Sequence, residues 1–176
     1  MLEYYEALGL EPKLALDPDD LRKRFYERSR ESHPDLFGPS AAASSKAEDR
    51  MAQLNDAFRT LRDPVARAEY FLSQSGIELS KDVPPELLEE VFELNMALEE
   101  IRGGDESALP QLESARGRFA AMQKEIDAEL TARGTRYDAA PDPAALDEIR
   151  GALNRRRYIS NLLRDVDKEL NVHLTN

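Results

Sequence analysis

Apolar residues recur three and four positions apart along almost the whole chain, and no segment alternates apolar and polar side chains long enough to read as a strand. That periodicity confines the chain to an all-α fold. Local punctuation then divides it. Asp17-Pro18 and Asp63-Pro64 each pair a carboxylate N-cap with a first-turn proline, the combination that opens a helix. The first half reads as short helices: Tyr4–Leu8, Pro18 to about Ser32, about Ser45 to Leu61, and Pro64 to about Gln74. The small-residue stretch AAASS at 41–45 reads as loop. Gly76 can close the fourth helix in a left-handed conformation, and SKDVPP at 80–85 breaks the periodicity altogether. The expected organisation is a first domain over 1–76, a linker over 77–83 and a second domain over 84–176.

Beyond Pro85 the helices lengthen: Glu86–Arg102, roughly Ser107–Arg133, and roughly Pro143–Leu170. They are joined by Gly103-Gly104-Asp105 and by residues 134–142. Three long helices with short connections predict an antiparallel three-helix bundle. Leu87, Val91, Leu94, Leu98 and Ile101 form one buried stripe on the first of them. Leu109, Leu112, Phe119, Met122, Ile126 and Leu130 supply the second. Leu146, Ile149, Leu153, Ile159, Leu163, Val166 and Leu170 supply the third, interrupted by Arg156.

Composition narrows the function. The 176 residues carry 24 Lys and Arg against 35 Asp and Glu, a formal net charge of −11, which argues against a nucleic-acid partner. No apolar run approaches the roughly 18 residues of a membrane span, so no membrane partner is expected. MLEYYEALGL at the N-terminus lacks the basic start and long apolar stretch of a secretory signal, so the expected location is the bacterial cytoplasm. The absence of Cys removes thiol catalysis and thiolate metal sites, and two His residues make a multi-histidine site implausible. No metal, cofactor or catalytic residue is assigned. Charge is also unevenly placed. Residues 21–30 (LRKRFYERSR) hold five basic side chains and one Glu, whereas residues 86–100 hold six Glu and no basic side chain. Two fields of opposite sign suit two different partners.

His33-Pro34-Asp35 follows the basic helix directly. Proline disfavours the α conformation in the residue before it, so the helix should end by His33 and leave the tripeptide on an exposed turn. Taken alone, the three residues fit a helix stop, half a metal site or an acid–base pair. A metal-dependent hydrolase built on His33 and Asp35 would need further ligands, and none is visible nearby.

The order YYEALGL at 4–10, a basic helix ending in His33-Pro34-Asp35, and LNDAFRTLRDPVARAEY at 54–70 resembles a J domain, the module that stimulates the ATPase of DnaK/HscA-type chaperones. More narrowly, Ala57-Phe58-Arg59-Thr60-Leu61, Arg67-Ala68-Glu69-Tyr70 and Gly76-Ile77-Glu78-Leu79, followed by an acidic helical domain, are similar to the HscB co-chaperones of iron–sulfur cluster assembly. The resemblance implies that His33, Pro34 and Asp35, with Arg22, Lys23, Tyr26 and Arg30 on the preceding helix, contact the ATPase chaperone. The chain departs from the usual J-domain pattern in two respects, one being that the KRAA-like sequence of general J proteins is reduced to Val65-Ala66-Arg67-Ala68. In the other, Leu21 and Phe25 are apolar on the inward face of that helix, but Arg28, Ser29 and Ser32 are not, which predicts thinner packing there. With no Gly/Phe-rich linker and no Cys-rich module after residue 76, a generalist DnaJ-type chaperone is disfavoured.

A second apolar stripe lies beside the core stripe of the first long helix: Leu88, Phe92 and Met96 at steps of four. Tyr158 and Leu162 do the same on the last helix. They either broaden the core or form an exposed patch rimmed by Glu89, Glu93 and Glu100, which is how protein-binding surfaces are built. In HscB-like proteins these helices hold the iron–sulfur scaffold protein of the IscU type. Matched residue by residue, that role falls on Leu88, Phe92, Met96 and Tyr158, with Glu93 as the polar contact. The alternative is a J-domain protein whose bundle serves dimerisation or a different client.

Overall fold

The computed structural model describes residues 2–32 and 41–174, with backbone only for 41–44 and 174. Among them every regular element is helical, in the order α1 Glu3–Ala7, α2 Pro18–Glu31, α3 Ala41–Arg62, α4 Pro64–Gln74, α5 Leu88–Arg102, α6 Leu109–Ala139 and α7 Pro143–Leu174. Short 3₁₀ turns at Pro85–Leu87 and Glu106–Ala108 lead into α5 and α6.

The cap chemistry explains most boundaries. Asp17 accepts the Asp19 N–H at 2.9 Å, and Asp63 accepts those of Val65 and Ala66 at 2.8 and 3.1 Å, each ahead of a first-turn proline. Just past its end, α4 is closed by Gly76, whose φ of 74° lets Ile77 N–H return to Leu72 O at 2.9 Å and Gly76 N–H to Ser73 O at 3.1 Å. Gly104 closes α5 by the same return, from Asp105 N–H to Glu100 O at 2.9 Å.

Three boundaries differ from expectation. Residues 41–45, read as loop, are the first turns of α3: alanine is the strongest helix former, and nothing in AAASS breaks the backbone ladder. Residues 134–139, read as the start of a loop, continue α6, which passes straight through Gly134. One mid-helix glycine costs about 1 kcal/mol, and three contacts described below offset it. α7 also runs four residues past Leu170.

The chain divides into two compact units that do not follow sequence order. One comprises Met1–Glu78 with Thr131–Leu146; the other comprises Leu79–Leu130 with Asp147–Asn176. In the first, α3 packs on α1, α2 and α4 around Tyr5, Leu8, Leu21, Leu54, Leu61 and Leu72, all buried. Phe25 is only half-buried and stacks on Phe58 with ring centroids 4.4 Å apart. Below it Ser29 Oγ donates to the Phe25 carbonyl at 2.7 Å, so polar groups do take the place of an apolar inward face there.

Residues 131–146 join this unit through the loop between α1 and α2. Asp138 accepts the Leu14 N–H at 3.0 Å on one carboxylate oxygen and the Ala15 N–H at 2.7 Å on the other. Tyr137 meets Phe71 edge to face at 5.6 Å, and buried Gly134 lies against Leu14. Beneath the same loop, buried Arg67 donates to the carbonyls of Leu14 and Leu61 at 2.8 and 2.6 Å, and Tyr5 donates its hydroxyl to Lys13 O at 2.8 Å. Burial lowers the Arg67 pKa, and Tyr5, Asp138 and Asp63 oppose that shift. Burial likewise pushes the Tyr5 hydroxyl well above its ordinary value, partly opposed by Arg67.

The second unit is the antiparallel three-helix bundle. Polar pairs between α6 and α7 run in opposite directions along the two helices: Arg116 with Asp167 at 2.6 Å, Gln123 with Ser160 at 2.8 Å, and Arg155 with Glu129 at 2.8 Å. Arg156, which interrupts the apolar stripe of α7, is half-buried and paired with Asp127. Arg118 on α6 reaches Glu93 on α5 at 3.2 Å, and Arg102 on α5 reaches Glu169 on α7 at 3.1 Å. The core is Leu87, Leu94, Leu98, Ile101, Leu112, Phe119, Ile126, Leu130, Ile149, Leu153, Ile159, Leu162 and Val166. Val91, Leu109, Met122, Leu146, Leu163 and Leu170 from the expected stripes are only partly buried.

Candidate functional site

Two surfaces carry the candidate residues, one on each unit. His33, Pro34 and Asp35 lie outside the described residues. The helix that leads to them does not. α2 ends at Glu31, with the Ser32 N–H bonded to Arg28 O at 3.1 Å. At about 100° of rotation per residue, Arg22, Lys23, Tyr26 and Arg30 fall within roughly one quadrant of α2, facing away from Leu21 and Phe25. All four are exposed, and Tyr26 presents 56% of its surface. The structure therefore gathers these four residues on a single outward face.

The other two basic side chains of this helix are engaged elsewhere. Arg24 pairs with Asp20 at 2.8 Å and also donates to the Gly9 carbonyl; Arg28 pairs with Glu31 at 3.2 Å. The outward face keeps Lys23 and Arg30 as well as Arg22, whose pair with Asp19 is long, at 3.7 Å, and solvent-exposed. Such a pair contributes little, so the face remains basic overall.

The second surface lies on α5. Leu94, Leu98 and Ile101 are buried, whereas Leu88, Phe92 and Met96 are 55%, 66% and 48% exposed. One helix thus carries a core stripe and an open apolar stripe side by side. Glu89, Glu93 and Glu100 stand exposed around the open stripe. Glu93, Met96 and Glu100 also line a groove between α5 and α6 whose far wall includes Gln111, Ser114 and Arg118.

The two candidate residues on α7 part company. Leu162 is buried and broadens the core, one of the two alternatives its spacing left open. Tyr158 is half-buried. α5 and α7 run parallel, since each is antiparallel to α6, and the Arg102–Glu169 pair sets their register. Counting back equal numbers of residues puts Tyr158 at the level of Val91, between Leu88 and Phe92, on the flank of α7 that also carries Glu169.

Sequence reasoning missed Arg118, the partner of Glu93, because a contact across two helices leaves no local trace. It also missed Asp138, for the same reason. Among the described residues, no group of three or more His, Cys, Asp or Glu could hold a metal ion, and no helix is long and apolar enough to cross a membrane.

Comparison with known proteins finds a match to the DnaJ domain family over residues 3–70 and to the HSCB C-terminal oligomerisation domain family over residues 83–167. A co-chaperone protein HscB homolog from Vibrio vulnificus strain YJ016 is 33% identical over 175 residues, covering 94% of this chain and 95% of that protein. Another, from Shewanella baltica strain OS155, is 33% identical over 156 residues, covering 85% and 88%. Among solved structures, the chaperone HscB from Vibrio cholerae superposes with a TM-score of 0.67 at 29% identity, over 97% of this chain and 98% of that one. Human co-chaperone HscB shares the fold, with a TM-score of 0.66 at 23% identity, over 94% of this chain and 81% of that one.

Proposed function

The chain belongs to the HscB family of J-domain co-chaperones, and from that premise we propose that it serves iron–sulfur cluster assembly by holding two partners at once. The J-domain unit stimulates the ATPase of a DnaK/HscA-type chaperone through Arg22, Lys23, Tyr26, Arg30 and His33-Pro34-Asp35. The bundle binds an IscU-type scaffold protein through Leu88, Phe92, Glu93, Met96 and Tyr158. The cluster is cargo on the scaffold, and the chain itself performs no chemistry in this reading. Bacterial cytoplasm is the matching location.

Mechanism follows from proximity. A scaffold protein held by the bundle is delivered at the high effective concentration that tethering supplies, rather than by free encounter with the chaperone. The basic face of α2 steers an acidic surface of the ATPase chaperone, while the acidic rim of α5 favours a scaffold with basic side chains around its apolar contact.

The observation that carries this reading is the open stripe. Leu88, Phe92 and Met96 remain exposed on a helix whose Leu94, Leu98 and Ile101 are buried, and three carboxylates surround them. Exposed apolar anchors within a charged rim favour a protein partner. The test pairs two variants of the full chain. His33→Gln should abolish ATPase stimulation while leaving scaffold binding intact. Phe92→Ala should weaken scaffold binding by about 1–3 kcal/mol, the usual range for an anchor, and leave stimulation in the absence of scaffold unchanged. Normal stimulation by His33→Gln would refute the J-domain half, and unchanged scaffold binding by Phe92→Ala the bundle half.

The matched domain is described as an oligomerisation domain, which favours a second reading: self-association of bundles through the same stripe. Sedimentation separates the two, because self-association would make the mass of the wild-type chain, and not that of Phe92→Ala, depend on concentration.

A further inference from the structure

The segment between α1 and α2 has no regular structure, yet its backbone is gripped from several directions. Arg24 holds the Gly9 carbonyl from α2, and the Tyr5 hydroxyl holds the Lys13 carbonyl from α1. Arg67 holds the Leu14 carbonyl from α4. The fourth grip comes from a residue more than 120 positions away: the Asp138 carboxylate takes the Leu14 and Ala15 N–H groups, one on each oxygen. Charge-assisted bonds of this kind are about twice as strong as neutral ones, and only a carboxylate accepts on both of its oxygens. Two residues past Ala15, Asp17 caps α2, and Pro18 starts it. The loop therefore sets where α2 begins, and α2 carries Arg22, Lys23, Tyr26 and Arg30 on its outward face.

We infer that Asp138 is a positioning residue for chaperone stimulation, fixing the loop at Leu14 and Ala15 and thereby the partner-facing helix α2. The inference rests on the reading that this face contacts an ATPase chaperone. It extends the functional J unit beyond residue 78 to the hairpin tip at 131–146. Gly134 supports the same placement, since the absence of a side chain there allows Leu14 to lie directly on α6. Arg67 and Asp138 hold opposite ends of one peptide residue, so Leu14 can shift only by breaking one of the two grips.

The test uses the full chain with Asp138→Ala, Asp138→Asn and, as control, Asp142→Ala. Asp142 sits on the same hairpin tip, where it caps α7 through the Ala144 N–H at 3.1 Å and makes no bond to the loop. Stimulation of a DnaK-type chaperone is measured against co-chaperone concentration at a temperature where all variants are folded, alongside amide exchange over residues 14–31. Asp138→Ala should raise the half-maximal concentration by about 2- to 30-fold, the range seen when a residue acts on a site it does not touch, and leave the maximal rate unchanged. Exchange at Leu14, Ala15 and the first turn of α2 should quicken. Asp138→Asn, which keeps one acceptor oxygen, should fall between, and Asp142→Ala should match wild type. Unchanged exchange in Asp138→Ala, or an equal shift in Asp142→Ala, would overturn the positioning role. A wild-type chain that fails to stimulate would refute the functional reading instead, and the exchange data would still decide whether Asp138 positions α2.

Discussion

Two glycines in α6 invite the same substitution with opposite outcomes. Replacing a mid-helix glycine by alanine stabilises a helix by about 0.8–1.0 kcal/mol when nothing else changes. Gly117 meets that condition: it is exposed, and a methyl group added there finds no atom within 4 Å beyond the adjacent backbone of its own helix. Gly117→Ala should therefore raise Tm by about 2–4 °C, given roughly that shift per kcal/mol for a chain of this size. At Gly134 the same methyl carbon would lie 3.0 Å from Leu14 Cβ, inside the roughly 3.5–4.0 Å at which carbons pack best. Leu14 cannot withdraw, because its N–H is bound to Asp138 at 3.0 Å and its carbonyl to Arg67 at 2.8 Å. Overpacking of this kind costs about 1–3 kcal/mol. Set against the propensity gain, the net is a loss of up to about 2 kcal/mol, or a Tm lower by up to about 8 °C. The two sites are about 25 Å apart along the helix, far enough for the double variant to show the sum of the single effects. Thermal melts of the three variants by far-ultraviolet circular dichroism read the result. If Gly134→Ala raises Tm as much as Gly117→Ala does, the α6 contact with Leu14 is looser than described and the argument for a gripped loop fails with it.

Leu98→Ala should cost about 2–5 kcal/mol of stability as a cavity in the bundle core, whereas Phe92→Ala, two-thirds exposed, should cost under about 1 kcal/mol, a third of the value of burying a whole side chain. Equal losses in urea melts would mean that the open stripe is core. Tyr5 gives a prediction in pH. Because burial raises its pKa in the folded state, its contribution is fully present below the ordinary tyrosine value of about 10 and is lost as pH rises above it. Tyr5→Phe should cost about 0.5–1.5 kcal/mol at neutral pH, for the bond to Lys13 O, and should flatten the alkaline loss of stability by up to about 1.4 kcal/mol per pH unit. Parallel alkaline slopes for the two proteins would refute the buried phenol.

What was legible in the sequence is what local chemistry controls. The helical period, the Asp-Pro starts at 17–18 and 63–64 and the glycine stop at 76 depend on interactions within a few residues, and the structure reproduces each of them. The second apolar stripe of α5 was also legible as a pattern. Its exposure was not, because a helix does not encode which of its faces will meet a neighbour: Leu162 and Phe92 look alike in sequence, yet one is buried and the other open. The path of α6 beyond Gly134 depended equally on tertiary structure. Local propensity disfavours that continuation by about 1 kcal/mol, and it is overcome by Leu14, Phe71 and the Asp138 bonds, contacts with residues more than 60 positions away. Short-range signals of that size decide where a helix can begin or end. Whether it does so is settled by packing and hydrogen bonds that exist only once distant parts of the chain have met.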